Sequence, residues 1–417
     1  MHDTPRDLQP RSLDAVARLI DKGVGIPNPL TLDIGPEVAL DRISGDGVTI
    51  YPGCRIYGAA TVISAGVKLG AEAPVTIDDC RLGPGVDLKG GSFRRSVFLE
   101  DANMGPGAQV RDGCLLEEEA NGAHCVGLKQ TILFPFVTLG SLVNLCDCLM
   151  AGGTSRKDHS EVGSSYIHFN FTPDGDKTTP SLFGDVPRGV MLDQQRIFLG
   201  GQGGAVGPLR LGYGSVVAAG SILRRDVPAD GMLVVSGSGR TFERERVPRA
   251  YPDLARLVTN NIVYLANLAA LEQWYRHVRA RFFAAQELGD LVHEGALAML
   301  AMARSERCSR LKATAAKVTP TDAGRRALRD RVEDVCALFE AGPPRSDGDA
   351  FLTAFEAAVA GPAPDARPTA LTRYTAAIQA LPADVAALGV AWLQQMVDAT
   401  CARARELLQP LALIENE

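Results

Sequence analysis

The sequence predicts a mainly β chain with an α-helical end: a parallel β-helix of hexapeptide repeats followed by a C-terminal α-helical domain. Three observations carry this expectation. Most of the 43 glycines fall in the first 240 residues, aliphatic residues there recur at every sixth position, and beyond Val227 glycine gives way to Ala, Leu and Arg. At 417 residues the chain exceeds one ordinary core, so two or three structural units are expected.

Residues 1–42 read as an N-terminal helix and lead-in. The repeat occupies 43–227. Ile50, Ile56 and Val62 are followed by Leu69 and Val75, and the spacing returns in Leu82 and Leu88, in Met104, Val110 and Leu116, in Val126 and Ile132, and in Leu211, Val217 and Leu223. A period of six fits neither a helix nor a hairpin sheet. It suits a coil with three flat faces, in which aliphatic side chains point inward and small residues turn the corners. Stacked coils then bury one apolar column and bond to their neighbours. The alternative is an antiparallel β-sandwich with irregular turns.

Residues 228–250 form a polar connector, and 251–417 read as helical. Pro252 and Asp253 suit a first helical turn. Leu254, Leu257, Val258, Ile262, Leu265, Leu268 and Ala269 then make an apolar stripe. Further helices are expected near Thr321 to Phe339, Gly348 to Val359 and Ala383 to Leu411. Trp274, Tyr275 and His277 on the first of these helices are read as packing residues.

Composition excludes several classes of function. The formal charge of −6 gives no general attraction to nucleic acid. The N-terminus lacks the pattern of a secretion signal, and no stretch approaches the roughly 20 apolar residues of a membrane span. The expected location is cytoplasmic. Nine cysteines scattered along the chain read as buried thiols rather than a disulfide framework.

The repeat is interrupted twice, at Ala151 to Ser160 and at His168 to Lys177, and loops that leave a rigid solenoid are where binding groups are mounted. Gly200-Gly201-Gln202-Gly203-Gly204 lacks the helix and lysine of a phosphate loop and reads as coil turns. His159, Asp158 and His168 follow no known metal-ligand spacing.

Four stretches occur in a telling order: Gly105-Pro106-Gly107-Ala108-Gln109-Val110-Arg111-Asp112-Gly113, His124-Cys125-Val126-Gly127-Leu128-Lys129, the Asn170 to Gly175 loop, and Val217-Ala218-Ala219-Gly220 with Arg225-Asp226-Val227. In this order the chain, over about residues 100 to 227, resembles the glucosamine-1-phosphate acetyltransferase domains of the hexapeptide-repeat acyltransferase family. The resemblance implies a left-handed parallel β-helix, a homotrimer, acetyl-CoA as co-substrate with no metal required, and a sugar phosphate or nucleotide sugar as partner. It implies that Arg111 and Lys129 hold the sugar phosphate, a pairing that suits a dianion. It places Asn170 near the acyl donor and aligns Gly201, Ala218 and Ala219 with the coenzyme A groove. The family's catalytic histidine falls on Ser141, its sugar-binding tyrosine on Asn144, and an asparagine of the next coil on Glu161.

Serine is no base at neutral pH. The expectation is that His159 or His168 supplies the base, with Asn170 or a backbone N–H holding the oxyanion; the alternative for each imidazole is a hydrogen bond within its own loop. His124 is read as structural. The expected activity is acetyl transfer from acetyl-CoA to an amino sugar phosphate, related to UDP-N-acetylglucosamine synthesis. No separate uridylyltransferase domain is expected, because only about 40 residues precede the repeats, too few for an α/β nucleotide-binding domain. The competing expectation is a catalytically silent β-helix that binds a sugar nucleotide or acts as a scaffold.

Overall fold

The computed structural model describes residues 10–168, 177–236, 243, 245, 249–340, 348–359 and 373–413. After a short helix, Leu13–Lys22, the chain winds into a solenoid whose strands pair in parallel, each with the coil before and after it. Parallel pairing throughout the ladder excludes the sandwich. The ladder begins at Asp33–Ile34, before the first expected repeat, and its last strand is Leu233–Val234.

The prism has three faces. Face one is a ten-stranded sheet, and faces two and three form a single 16-stranded sheet because the long strands Gly127–Leu133 and Asn144–Met150 bend around the corner between them. Ladder register defines three inward columns. Leu69, Leu88 and Met104 belong to face one, Ile77, Val110, Leu128 and Leu145 to face two, and Leu82, Leu116 and Leu133 to face three. All the aliphatic residues of the six-residue pattern are buried, none more than 4% exposed.

Two of them are buried from the other side. Val62 and Ile132 each precede an inward residue, Ile63 and Leu133, so they project outward from face three. Val97, Leu115, Leu149 and Leu182 share that row. These six stay buried because helices cover this face.

The helical layer centres on Leu254–Trp274, which packs against Gly289–Lys317 and Ala383–Leu407. Its expected stripe is buried, but so is most of its circumference, Asn260, Asn261 and Asn267 included. Asn267 accepts from the Val186 backbone N–H at 2.8 Å, and Asn261 donates to Thr178 O at 3.2 Å, so the helix is wedged into the solenoid rather than laid on it. Helices Ala323–Glu340, Asp349–Val359 and Ala383–Leu407 lie where the sequence places them; Gly289–Lys317, 29 residues long, was not expected.

The stretch Leu254–Ala284 corrects the expectation that no segment is long and apolar enough to cross a membrane. It is the one such helix among the described residues, and 89% of its apolar window is buried within the protein.

Charge pairs rivet the two layers. Arg307 donates to Asp147 at 2.8 Å, and Arg279, 1% exposed, bridges Glu117 and Glu118 while lying 3.8 Å from the ring centre of Tyr374. Trp274 and Tyr275 pack here as expected, with the Tyr275 hydroxyl donating to Glu117 at 2.6 Å.

Candidate functional site

Among the described residues the helices pack on the wall of face three, which leaves faces one and two and the corner between them open. On a strand, the residues flanking an inward position point outward. In face two this sets Gln109, Gly127, Asn144 and Tyr166 in one outward row, rung after rung. Arg111, Lys129 and Cys146 form the next row, with Arg111 donating its backbone N–H to Leu128 O.

Neighbouring rungs lie about 4.8 Å apart, so the cations of Arg111 and Lys129 can address one phosphate together. Arg111 is exposed and its guanidinium stands 3.9 Å from Cys146 Sγ. Burial lifts the Cys146 thiol to about 11, so it is no nucleophile at neutral pH. Asp147, next in the chain, is committed to Arg307, which leaves the basic row bordered by the helical layer.

The corner between faces one and two is a ladder of small residues. Backbone bonds tie Cys125 to Pro106 O, Leu142 to His124 O, Gln202 to Ser164 O and Gly220 to Gly201 O. Glycine is required where coils touch: a Cβ on Gly200 would come 2.4 Å from Ala219 N, and one on Gly163 would come 2.6 Å from Gly201 N. Gly201, Ala218 and Ala219 therefore lie along the same edge as Ser141.

Ser141 does not stand alone. Its Oγ lies 2.8 Å from Nδ1 of His124, one coil back. His124 is exposed and lines a groove of about 720 Å³ on face one, with Lys89, Asn103, Asn121 and Cys125. Cys125 is the one exposed cysteine of the nine. Reading His124 as structural missed this pair; counting one coil, 17 residues from His124 to Ser141, would have found it.

The other expected residues are dispersed. Glu161 sits on face one, beside Thr138. His159 closes a hairpin, Gly153–Ser155 with Asp158–His159, that Arg156 fastens to the opposite corner through Glu119 O, Phe136 O and Thr138. Its Nδ1 lies 2.9 Å from Arg156 O and its Nε2 3.8 Å from Glu161. His159 thus makes the alternative bond within its own loop and does not share the face of Lys129. The backbone of His168 does lie on face two, paired with Val206. Asn170 lies outside the described residues. Among the described residues no three His, Cys, Asp or Glu side chains converge as metal ligands.

A triangular parallel solenoid with hexapeptide coils, an open basic row and a small-residue corner is the class of structure that the sequence motifs indicate. No family model matches the chain. It is similar to the bifunctional protein GlmU of Nitratidesulfovibrio vulgaris, 28% identical over 233 residues, which cover 54% of this chain and 45% of that protein. It is likewise similar to GlmU of Pelobacter propionicus, 30% identical over 219 residues (52% of this chain, 42% of that protein). For GlmU of Thermotoga maritima the identity is 28% over 216 residues (51% and 42%). The match falls in the C-terminal half of these proteins and spans less than half their length. The chain is thus a hexapeptide-repeat β-solenoid resembling that half of GlmU.

Proposed function

We propose that the protein is an acetyl-CoA-dependent acyltransferase acting on an amino sugar phosphate or nucleotide sugar, in the cytoplasm and as a homotrimer. The observation that carries this reading is the adjacency of Arg111 and Lys129 on the open face, with Asn144 in the row beside them. Two cations one rung apart hold a phosphate dianion and orient the rest of the acceptor toward the corner. Gly201, Ala218 and Ala219 would pass the coenzyme A chain along that corner, where small residues leave room.

The thioester needs a proton acceptor for the attacking amine and a donor for the oxyanion. His168 and Asn170 are the proposed groups from the second interruption of the repeat, and Glu161 would meet the acceptor from face one. His159, held in its hairpin, would act only by leaving the Arg156 carbonyl. No step requires a metal.

The test is thiol release from acetyl-CoA with glucosamine 1-phosphate and related amino sugars. Lys129→Met should raise the acceptor KM roughly 10- to 100-fold, the loss of one charge-assisted contact, with kcat little changed. Absence of both thiol release and coenzyme A binding in the wild type would remove the proposal.

A second reading has its own support. Ser141 stands where the resemblance implies a histidine, which favours a silent solenoid that binds a nucleotide sugar without turnover. Calorimetric binding of UDP-N-acetylglucosamine with no thiol release would select it.

A further inference from the structure

The Ser141–His124 pair is unexplained by packing. Both side chains reach the surface, and an exposed hydrogen bond of this kind contributes little to stability. Elsewhere this edge carries Pro106, Ser164, Gly201 and Ala219, and a neutral ladder needs no imidazole. The pair also stands between the groove of about 720 Å³ on face one and the basic row of face two.

Several neighbouring groups are unsuited to accept a proton. Lys129 is a cation, the Cys146 thiol is lifted to about 11 by burial, Asp147 is held by Arg307, and Glu72, which lines the groove with His124, pairs with Lys89 at 3.2 Å. His159 lies at the opposite corner with Nδ1 on a carbonyl.

We propose that His124, in place of His168, is the proton acceptor of the acyl transfer, working through the Ser141 hydroxyl; this rests on the acyltransferase reading above and replaces only its choice of base. With its own proton on Nε2, the His124 ring accepts from Ser141 Oγ at Nδ1. The acceptor amine attacks the thioester carbonyl carbon, forming C–N as C–S breaks. The amine proton passes to Ser141 Oγ while the Ser141 proton passes to His124. The imidazolium then returns one proton to the departing thiolate, giving free coenzyme A thiol. Ser141 is the group that touches the amine, and His124 acts through it. A base displaced by one coil thereby serves the same edge of the prism.

The experiment follows thiol release across pH for the full chain and its variants. His124→Ala should lower kcat by about 10²- to 10⁴-fold and abolish the rising limb of the kcat–pH profile. Ser141→Ala should fall with it, whereas Ser141→Thr, which keeps the hydroxyl, should retain most of the rate. Loss of the rising limb in His168→Ala, with the limb kept in His124→Ala, would assign the base to His168 and overturn this inference. Because His124 and Ser141 are at the surface, the thermal melts of these variants should match wild type. A wild type that turns over while His124→Ala keeps its rate and pH limb would overturn this inference alone. A wild type that releases no thiol would remove the parent reading, and this one with it.

Discussion

Arg279 offers the sharpest test of how the helical layer is held to the solenoid. Its side chain is 1% exposed, pairs with Glu117 at 3.4 Å, bonds Glu118 Oε1, and lies 3.8 and 4.7 Å from the ring centres of Tyr374 and Tyr275. Among the described residues Glu118 Oε2 has no hydrogen-bond partner, so the Arg279 cation is what offsets the burial of this carboxylate. Arg279→Met keeps much of the volume and removes the charge. Removing one partner of a buried ionic cluster costs about 3–5 kcal/mol, because a carboxylate is left in an apolar setting.

The assay is urea denaturation followed by tryptophan fluorescence. Trp274 reports locally, since its indole N–H donates to the Tyr374 hydroxyl at 2.8 Å beneath Arg279. At pH 8 the transition should move by that amount. At pH 5 the penalty should shrink, because Glu117, whose carboxyl burial lifts to about 7, takes up a proton and no longer leaves a buried charge. A penalty below about 1 kcal/mol, or one equal at both pH values, would refute the idea that this cation neutralises the buried pair.

Two further outcomes are expected. Burial lifts the Glu117 carboxyl from 4.5 to about 7, so between those values the folded protein holds a proton that the unfolded chain has lost. The associated stability is complete below about pH 4.5 and lost as pH rises through about 7, on the order of 3 kcal/mol in all. Glu117→Gln should therefore flatten stability across that window in urea titrations at stepped pH. In face two, Leu145→Ala removes an inward side chain and should cost about 2–5 kcal/mol. Its neighbour Asn144 projects outward, so Asn144→Ala should move the midpoint by less than about 0.5 kcal/mol. Similar losses at both positions would contradict the inward–outward assignment.

The six-residue period was legible because each coil repeats one problem: a wall residue must be aliphatic, and a corner must be small or tolerate a left-handed backbone. The covered third face was also written in the chain, as Val62-Ile63, Val97-Phe98, Leu115-Leu116, Ile132-Leu133, Leu149-Met150 and Leu182-Phe183. Apolar pairs mark strands buried on both sides. Reading only one residue of each pair hid the docking surface. The helix Gly289–Lys317 escaped notice because charged and small residues interrupt its stripe of Val292, Met299, Leu300 and Leu311, and it buries Arg307 against Asp147 alongside that stripe. Glu117-Glu118-Glu119 resembles a solvated charge run until Arg279, more than 150 residues away in sequence, is brought onto it.

By itself the sequence determined the solenoid, the polarity of its walls and the two cations one coil apart, since these follow from local periodicity and constant rise. Tertiary structure alone decided which wall the helices cover, that His159 is held at the far corner, and that His124 meets Ser141. Those outcomes depend on coil lengths and on contacts between distant segments. A one-dimensional repeat fixes what points inward, whereas what meets on the outside is set by the summed register of every turn in between.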